Sequence, residues 1–537
     1  MLYMDETSSL AAPGPDQTCD LLVIGGGING CGIARDAAGR GLKVLLVEQD
    51  DLASATSQWS SKLIHGGLRY LEYYEFRLVA ESLAEREVLL RAAPHLIQPL
   101  EFVIPHEPHL RPRWMIRAGL FLYDRLGGKK SVPASKSVDL SGLPYGAGLK
   151  PAYTKGFSYF DARADDARLT ILNARGAADL GAVIQTRTRF AGARVVDGVW
   201  RATLEPTAAY GARQSAALQA PHQAREVRAR SIVNAAGPWV MRVLGGIHGV
   251  KPSSERVKHV KGSHIVVPRV HAGEHAYLLQ NRDKRIVFVI PYQDEYSLIG
   301  TTDIPVEAWD KPAISNDELN YLCSIASEYL AKPVTPAEVV WTYSGVRPLY
   351  DDGQANASAI TRDYTLKLDH SAGAPLLNVF GGKLTTFRKL SEHALTKLQP
   401  YFPALGVAWT HEKPLPGGDF SGGLTQIAAS LKAAFPFLPD QHANKISRRH
   451  GTLASAWLGG AKNIEDLGEH FGAGLYAAEV DHMIASEWAQ TAEDVLMRRS
   501  KCGLGMTAAQ KARVATYIGG ARDGTRDGAR DGARGGE

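Results

Sequence analysis

The chain has 537 residues, of which 45% are hydrophobic and 22% charged, enough material for two or three packed units with a large core. A net charge of +5 is mild for this length and argues against a nucleic-acid binder and against a disordered chain. Cys19, Cys31, Cys323 and Cys502 show no CxxC or metal-ligand spacing, so they read as structural thiols of a reduced compartment with no metal site, and neither a signal peptide nor a membrane-spanning run is visible.

In chain order, residues 1–18 read as a loose leader. Residues 20–48 then read as strand, phosphate turn, helix and strand. The apolar run 21–24 suits a parallel strand covered on both faces. Gly25, Gly27 and Gly30 take the GxGxxG spacing: the first permits the tight turn, the second lets the backbone approach a pyrophosphate, and the third lets the helix pack on the strand. The helix that follows aims its free amides and positive dipole end at the phosphates. Glu48, at the end of a second strand, 44–47, is placed to accept from a ribose diol. With this context the glycine turn predicts a dinucleotide site carried by Gly25, Gly26, Gly27, Ile28, Asn29, Gly30 and Glu48.

Residues 56–71, TSQWSSKLIHGGLRYL, follow. Ser60 and Ser61 offer donors for phosphate oxygens, Gly66 and Gly67 let backbone pass close to a flat ring, and Arg69 and Tyr70 stand at its edge. The competing reading is a helix start with an exposed arginine. A helix is predicted over 75–93, with Phe76, Val79, Leu83 and Leu90 on one face and Pro94 as its stop. Segment 109–130 interleaves Arg111, Arg113, Arg117, Arg125, Lys129 and Lys130 with Trp114, Met115, Ile116, Leu120, Phe121 and Leu122, opposed only by Asp124. That is the pattern of a helix lying at a lipid surface, each cation contributing about 1 kcal/mol near anionic head groups. A basic surface helix packed on the core is the alternative.

From about residue 181 the pattern turns to strands: 231–236, then 263–268, 285–291 and 297–302, runs rich in β-branched residues that suggest an antiparallel sheet. Such a set implies a second, substrate-holding unit inserted between pieces of the nucleotide domain. Residues 376–380 return to that domain. Helical patterns dominate from about 411, including 475–488 and 492–499, the latter with Thr491 and Asp494 as a capping pair. A separate helical domain is expected over 411–518, joined through linker glycines Gly417 and Gly418; the Arg/Asp/Gly tail, 519–537, reads as disordered.

Arg347 in WTYSGVRPL, Arg362 in AITRDY and Lys383 in GGKLTT each accompany a turn, and with Arg69 they form an anion clamp suited to a phosphorylated or carboxylated substrate. Taken singly, each reads more readily as a surface ion pair; the clamp rests on their shared association with glycine turns. His264 in KGSHIVVP and His65 in LIHGG are the candidate bases, since alcohol oxidation by hydride transfer needs an acceptor for the hydroxyl proton.

The stretches DLLVIGGGINGCGIARDAAGRGL, SSKLIHGGLRYLE, VKGSHIVVP, IGTTD, TYSGVRPL, AITRDYTL and VFGGKLTTFRKL strongly resemble the FAD-dependent, respiratory glycerol-3-phosphate dehydrogenases, from about residue 20 to past 410, with GLYAAEV and EDVLMRR resembling that family's carboxy-terminal domain. The resemblance implies an α/β fold: a Rossmann-type, glutathione-reductase-like FAD-binding domain (pieces about 19–95, 155–250 and 345–400), an inserted antiparallel substrate domain of the amino-acid-oxidase kind, and a helical carboxy-terminal domain. It implies FAD rather than NAD, oxidation of sn-glycerol 3-phosphate to dihydroxyacetone phosphate, and electron transfer to membrane quinone by a cytoplasmic protein held peripherally at the membrane's inner face. A homodimer is expected and no nucleic acid. Carried over residue by residue, the glycine turn and Glu48 hold the adenosine half; Ser60, Ser61, His65, Gly67, Gly382, Lys383, Leu384 and Thr385 lie along the flavin. Arg69, Tyr70, Arg347, Arg362 and Lys383 surround the substrate, with His264 nearby. Lys383 also faces the charge that develops in the reaction. An amine or amino-acid oxidase using oxygen is the alternative, and the number of cations speaks against it.

Overall fold

The computed structural model describes residues 18–107, 110–207, 224–251, 255–283, 285–351 and 363–522. Residues 1–17 of the leader, the tail from residue 523, His109 of the basic segment and Arg362 of the cation set lie outside the described residues; Thr18 already belongs to a strand, and 519–522, expected as tail, continue the helix Ala508–Arg522.

Thr18–Ile24 occupies the middle of an eight-stranded sheet. Its parallel strands run in the order Val183–Gln185, Val44–Val47, Thr18–Ile24, Arg225–Asn234, Leu376–Phe380. Thr365–Asp369 closes one edge antiparallel, and the hairpin Thr188–Val196 with Val199–Pro206 pairs with the first half of Arg225–Asn234. The strand cores are continuously apolar because both faces are covered. Leu21 and Val23 face helices Ile28–Gly39, Asp166–Asp179 and Phe387–Leu398, whereas Leu22 and Ile24 face the hairpin layer around Trp200.

The second sheet has ten strands and carries the runs expected from sequence as Val257–Pro268, Ile286–Tyr292 and Tyr296–Gly300. It is mixed rather than wholly antiparallel, because Ala276–Gln280 runs parallel to Ile97–Pro105. Ile97–Pro105 and Lys155–Ala164 extend the sheet from a region not read as strands; Pro99, Glu101 and Pro105 interrupt the first of these as a strand pattern. One face packs on helix Asn316–Tyr329 and the other on Phe76–Ala92 and Arg113–Tyr123.

Helix Phe76–Ala92 buries Val79, Leu83 and Leu90 as predicted, but Phe76 at its start is 40% exposed. Among the described residues of the basic segment, only 113–123 is helical; it buries Leu120 and Tyr123 and leaves Trp114 70% exposed. No helix of the described residues is long and apolar enough to cross a membrane. The carboxy-terminal part is helical, with Gly423–Ala434, Asp440–His450, Ala477–Glu487 and Ala508–Arg522 around two apolar clusters. The helix expected over 475–488 starts at Ala477 because Leu475–Tyr476 pairs with His470–Gly472 as a short ribbon. Thr491 and Asp494 cap each other reciprocally, at 2.9 and 3.2 Å. Gly417 and Gly418 are close-packing positions rather than loose linkers: a Cβ on them would lie 2.3 Å from the His450 carbonyl oxygen and 2.5 Å from that of Ala92.

Candidate active site

At the carboxyl ends of the parallel strands lies a cavity of about 530 Å³ lined by Gly25, Gly27, Asn29 and Glu48. Gly25 has φ +114°, and a Cβ there would sit 2.6 Å from the Ala235 carbonyl oxygen; at Gly30 it would sit 1.9 Å from that of Gly25. No side chain fits either place. Glu48 does more than face a ribose, because its oxygens accept from the amides of Gly26 at 2.7 Å and Asp50 at 2.8 Å, clamping the turn. Burial pushes its carboxyl up to about 7 against those amides. The Ile28 amide, at the head of the phosphate helix, donates to Ser57 Oγ at 2.9 Å, a partner that sequence reasoning missed. Asn29 Nδ2 donates to the Gly381 carbonyl at 3.2 Å, so the two glycine turns meet, while Asn29 Oδ1 is buried without a hydrogen-bond partner.

A second cavity, about 330 Å³, shares Ile28, Ser57, Gly381 and Gly382 with the first and extends to the large sheet. It brings together Ser60, Ser61, His65, Gly67, Arg69, Tyr70, His264, Arg347, Gly382, Lys383, Leu384 and Thr385, every residue expected at this end among the described residues. Ser60 Oγ donates to Asp166 Oδ2 at 2.7 Å, and Asp166 in turn holds the buried Lys62 ammonium at 2.9 Å; the Ser60 proton is thus committed to the loop's own anchor. Ser61 Oγ lies 3.0 Å from His264 Nε2. His264 is 2% exposed, stacks on Tyr343 at 4.7 Å, and its Nδ1 has no hydrogen-bond partner. Burial, then Lys62 and Arg347, push this imidazole well below its usual range, so it is neutral at neutral pH.

The 65–67 loop is held from two sides. The His65 amide donates to Thr385 Oγ1 at 3.2 Å, and the Gly66 amide donates to Tyr123 Oη at 2.9 Å. Tyr123 Oη donates to Asp161 Oδ2 at 2.7 Å, and Arg86, fully buried, donates to Asp161 Oδ1 at 2.9 Å. Among the cations, Lys383 Nζ lies 4.1 Å from the centre of the Tyr70 ring, Arg69 reaches Tyr73 Oη at 3.5 Å, and Arg347 Nη1 donates to Asp303 Oδ1 at 2.9 Å. Arg285, which the sequence reading did not single out, also lines the cavity and pairs with Asp283 at 2.6 Å. It stands one residue before Ile286–Tyr292, where only sheet register could have placed it. Asp303 and Asp363 line the same wall, so the cavity presents four cations against two carboxylates among the described residues.

Residues 20–388 match the FAD dependent oxidoreductase family, and residues 408–519 match the C-terminal domain of alpha-glycerophosphate oxidase. The chain is similar to the D-erythritol 1-phosphate dehydrogenase of Brucella abortus, 49% identical over 94% of this chain and 98% of that one. It is equally similar to the aerobic glycerol-3-phosphate dehydrogenase of Escherichia coli, 50% identical over 94% of this chain and 97% of that one. The structure of the glycerol-3-phosphate dehydrogenase from Bacillus halodurans, complexed with FAD, has a TM-score of 0.69 at 23% identity, covering 93% of this chain and 94% of that one, a likeness of fold. The glycine cradle and the buried, unpartnered Asn29 Oδ1 fit FAD as the cofactor. Half of its aligned positions are shared with such an enzyme along nearly the whole length of both, and so the chain belongs to the FAD-dependent glycerol-3-phosphate dehydrogenase family.

Proposed function

We propose that the protein oxidises sn-glycerol 3-phosphate to dihydroxyacetone phosphate and passes the electrons to a membrane quinone. The observation that carries this reading is the cation-rich cavity, with Arg69, Arg347 and Lys383 on its wall beside a buried, neutral His264. Bound FAD supplies the hydride acceptor. Arg69, Tyr70, Arg347, Arg362 and Lys383 hold the phosphorylated polyol, with Arg347 the principal phosphate partner, which fixes the secondary alcohol for transfer. Lys383 also places positive charge where negative charge develops. His264 takes the hydroxyl proton. Burial first, and then Lys62 and Arg347, depress its basicity in the free enzyme, which leaves the imidazole neutral and able to accept; a phosphate dianion beside Arg347 offsets only the part that the two cations contribute. His65, on the opposite loop, is the other candidate. His65→Asn and His264→Asn separate them: the variant of the true base loses kcat, the other does not. Ser60, Ser61, His65 and Gly67, with the 382–385 turn, line the flavin half of the cofactor, and the 25–30 turn with Glu48 lines the adenosine half.

The test is anaerobic addition of glycerol 3-phosphate to the yellow protein; bleaching of the flavin band supports the proposal and an unchanged band refutes it. D-erythritol 1-phosphate is the second reading, favoured by the 49% identity to the enzyme of that name, and the faster bleaching of the two decides. Peroxide formation with glycine would instead favour an oxidase. The exposed Trp114 and Phe121, on a helix that carries Arg113 and Arg117 and follows Arg111, support peripheral docking on the inner membrane face. Flotation with liposomes checks it: equal binding with and without anionic lipid removes the electrostatic part. The family resemblance carries a homodimer as well, checked by light scattering.

A further inference from the structure

Away from both cavities, the helical domain buries a cluster whose polar atoms are not satisfied. His450, at the end of helix Asp440–His450, is fully buried, as is Glu487 at the end of Ala477–Glu487; His482, from the same helix, is 14% exposed. His450 Nδ1, His482 Nε2 and Glu487 Oε1 all lie within 4.8 Å of one another, and each is buried without a hydrogen-bond partner. Oε1 is 3.9 Å from His450 Nδ1 and 3.7 Å from His482 Nε2. These separations are too long for hydrogen bonds. They are within a few tenths of an ångström of the ~3.3–3.5 Å that separates nitrogen and oxygen ligands on one zinc ion.

The surroundings prepare these atoms as ligands. His450 Nε2 lies 2.8 Å from Glu479 Oε1, and Glu479 is paired with Arg449 Nη2 at 2.9 Å. An ionised carboxylate only accepts, so Nε2 carries the proton and the Nδ1 lone pair points at the cluster. A carboxylate behind a histidine is the arrangement that fixes the tautomer of a metal-bound imidazole. Glu487 Oε2 is held by Arg168, from helix Asp166–Asp179 of the nucleotide domain, which orients Oε1 toward the histidines. The two acids balance the two arginines, so a dication enters a site without excess positive charge.

We propose that His450 Nδ1, His482 Nε2 and Glu487 Oε1 bind one divalent transition-metal ion, zinc foremost. Two imidazoles and one carboxylate select such an ion over magnesium or calcium, which take oxygen ligands. The ion staples the two helices together and, through Glu487 and Arg168, fastens the helical domain to the nucleotide domain. None of its ligands lines either active-site cavity, so it has no part in turnover.

The test uses the untagged, FAD-loaded protein, stripped with chelator, mixed with zinc and passed through gel filtration. Elemental analysis should find about one zinc per chain in the wild type and none with His482→Ala or His482→Gln. Both variants should keep wild-type flavin content and turnover, and zinc should raise the wild-type Tm but not theirs. Magnesium and calcium should do neither. A wild type that retains no zinc, showing the cluster to hold ordered water, would overturn the proposal; so would a stoichiometry unchanged in both variants.

Discussion

Replacing Arg347 by alanine gives the sharpest test of the phosphate clamp. Its guanidinium is about a quarter exposed and donates to Asp303 at 2.9 Å, and both groups line the substrate cavity. Two losses follow. A charge-assisted hydrogen bond to the phosphate disappears, about 1.5–3 kcal/mol. Asp303, without that guanidinium beside it, also repels the phosphate; at roughly 6 Å and an effective dielectric of about 20 to 80 this adds about 1–3 kcal/mol. Together the two lower kcat/KM by roughly two to four orders of magnitude. The change should fall mainly on KM, with FAD absorbance at its wild-type value. Arg347→Lys should recover only part, because an ammonium lacks the planar fork. The double variant Arg347→Ala/Asp303→Asn should recover about tenfold over the single one, since it removes the repulsion. Steady-state kinetics with glycerol 3-phosphate and a soluble electron acceptor measure all four proteins. If Arg347→Ala stays within threefold of wild type, or if Asp303→Asn brings no recovery in the alanine background, the clamp is misassigned.

Gly30→Ala should yield colourless protein, because the new methyl would sit 1.9 Å from the Gly25 carbonyl and force the turn open; the 450 nm to 280 nm absorbance ratio reads it. Gly119→Ala is the control, with nothing within 4 Å of its added carbon. Tyr123→Phe removes the hydroxyl that links the Gly66 amide to Asp161 and should lower stability by about 1–3 kcal/mol in urea unfolding, with a change in flavin fluorescence. Acid stability tests Glu318, whose carboxyl is pulled down to about 2 against burial by Lys261, the Ser315 amide and the Ser263 and Thr302 hydroxyls. A depressed folded-state value means the stabilisation is complete above the unfolded value of about 4.3 and is lost as pH falls toward 2. Unfolding midpoints followed over that window should drop less steeply in Glu318→Gln, and parallel curves would refute the assignment.

The glycine turn was readable because its requirements are local. Gly25 and Gly30 meet each other within one strand–turn–helix unit, so spacing carries that contact, whereas the Ala235 carbonyl that Gly25 also meets comes from some 210 residues further along the chain. Lys383 was readable for a weaker reason, its attachment to a glycine turn in a motif the family shares; Arg347 shares only the motif, since it lies within the strand Trp341–Tyr350 and not at a turn. Their neighbours were not. Arg285, Asp303 and Ser57 reach the site through sheet register or a long-range side-chain contact, which no short window contains. The second sheet was read as antiparallel because hairpins leave a local pattern, whereas the parallel pair of Ala276–Gln280 with Ile97–Pro105 joins segments some 170 residues apart.

The basic segment shows a helix whose exposed face is legible in the sequence while its buried face is not. Its alternation of cations with Trp114 and Phe121 described the outer face, which is exposed. The inner face carries Tyr123, fully buried and bonded to both Asp161 and the Gly66 amide, and nothing in the amphipathic pattern announces that role. The consequence is physical. The helix that presents apolar side chains outward is joined to the 65–67 loop by one hydrogen bond, from the Gly66 amide to Tyr123 Oη at 2.9 Å, and the same hydroxyl donates to Asp161, so removing that single oxygen unties the loop from the helix.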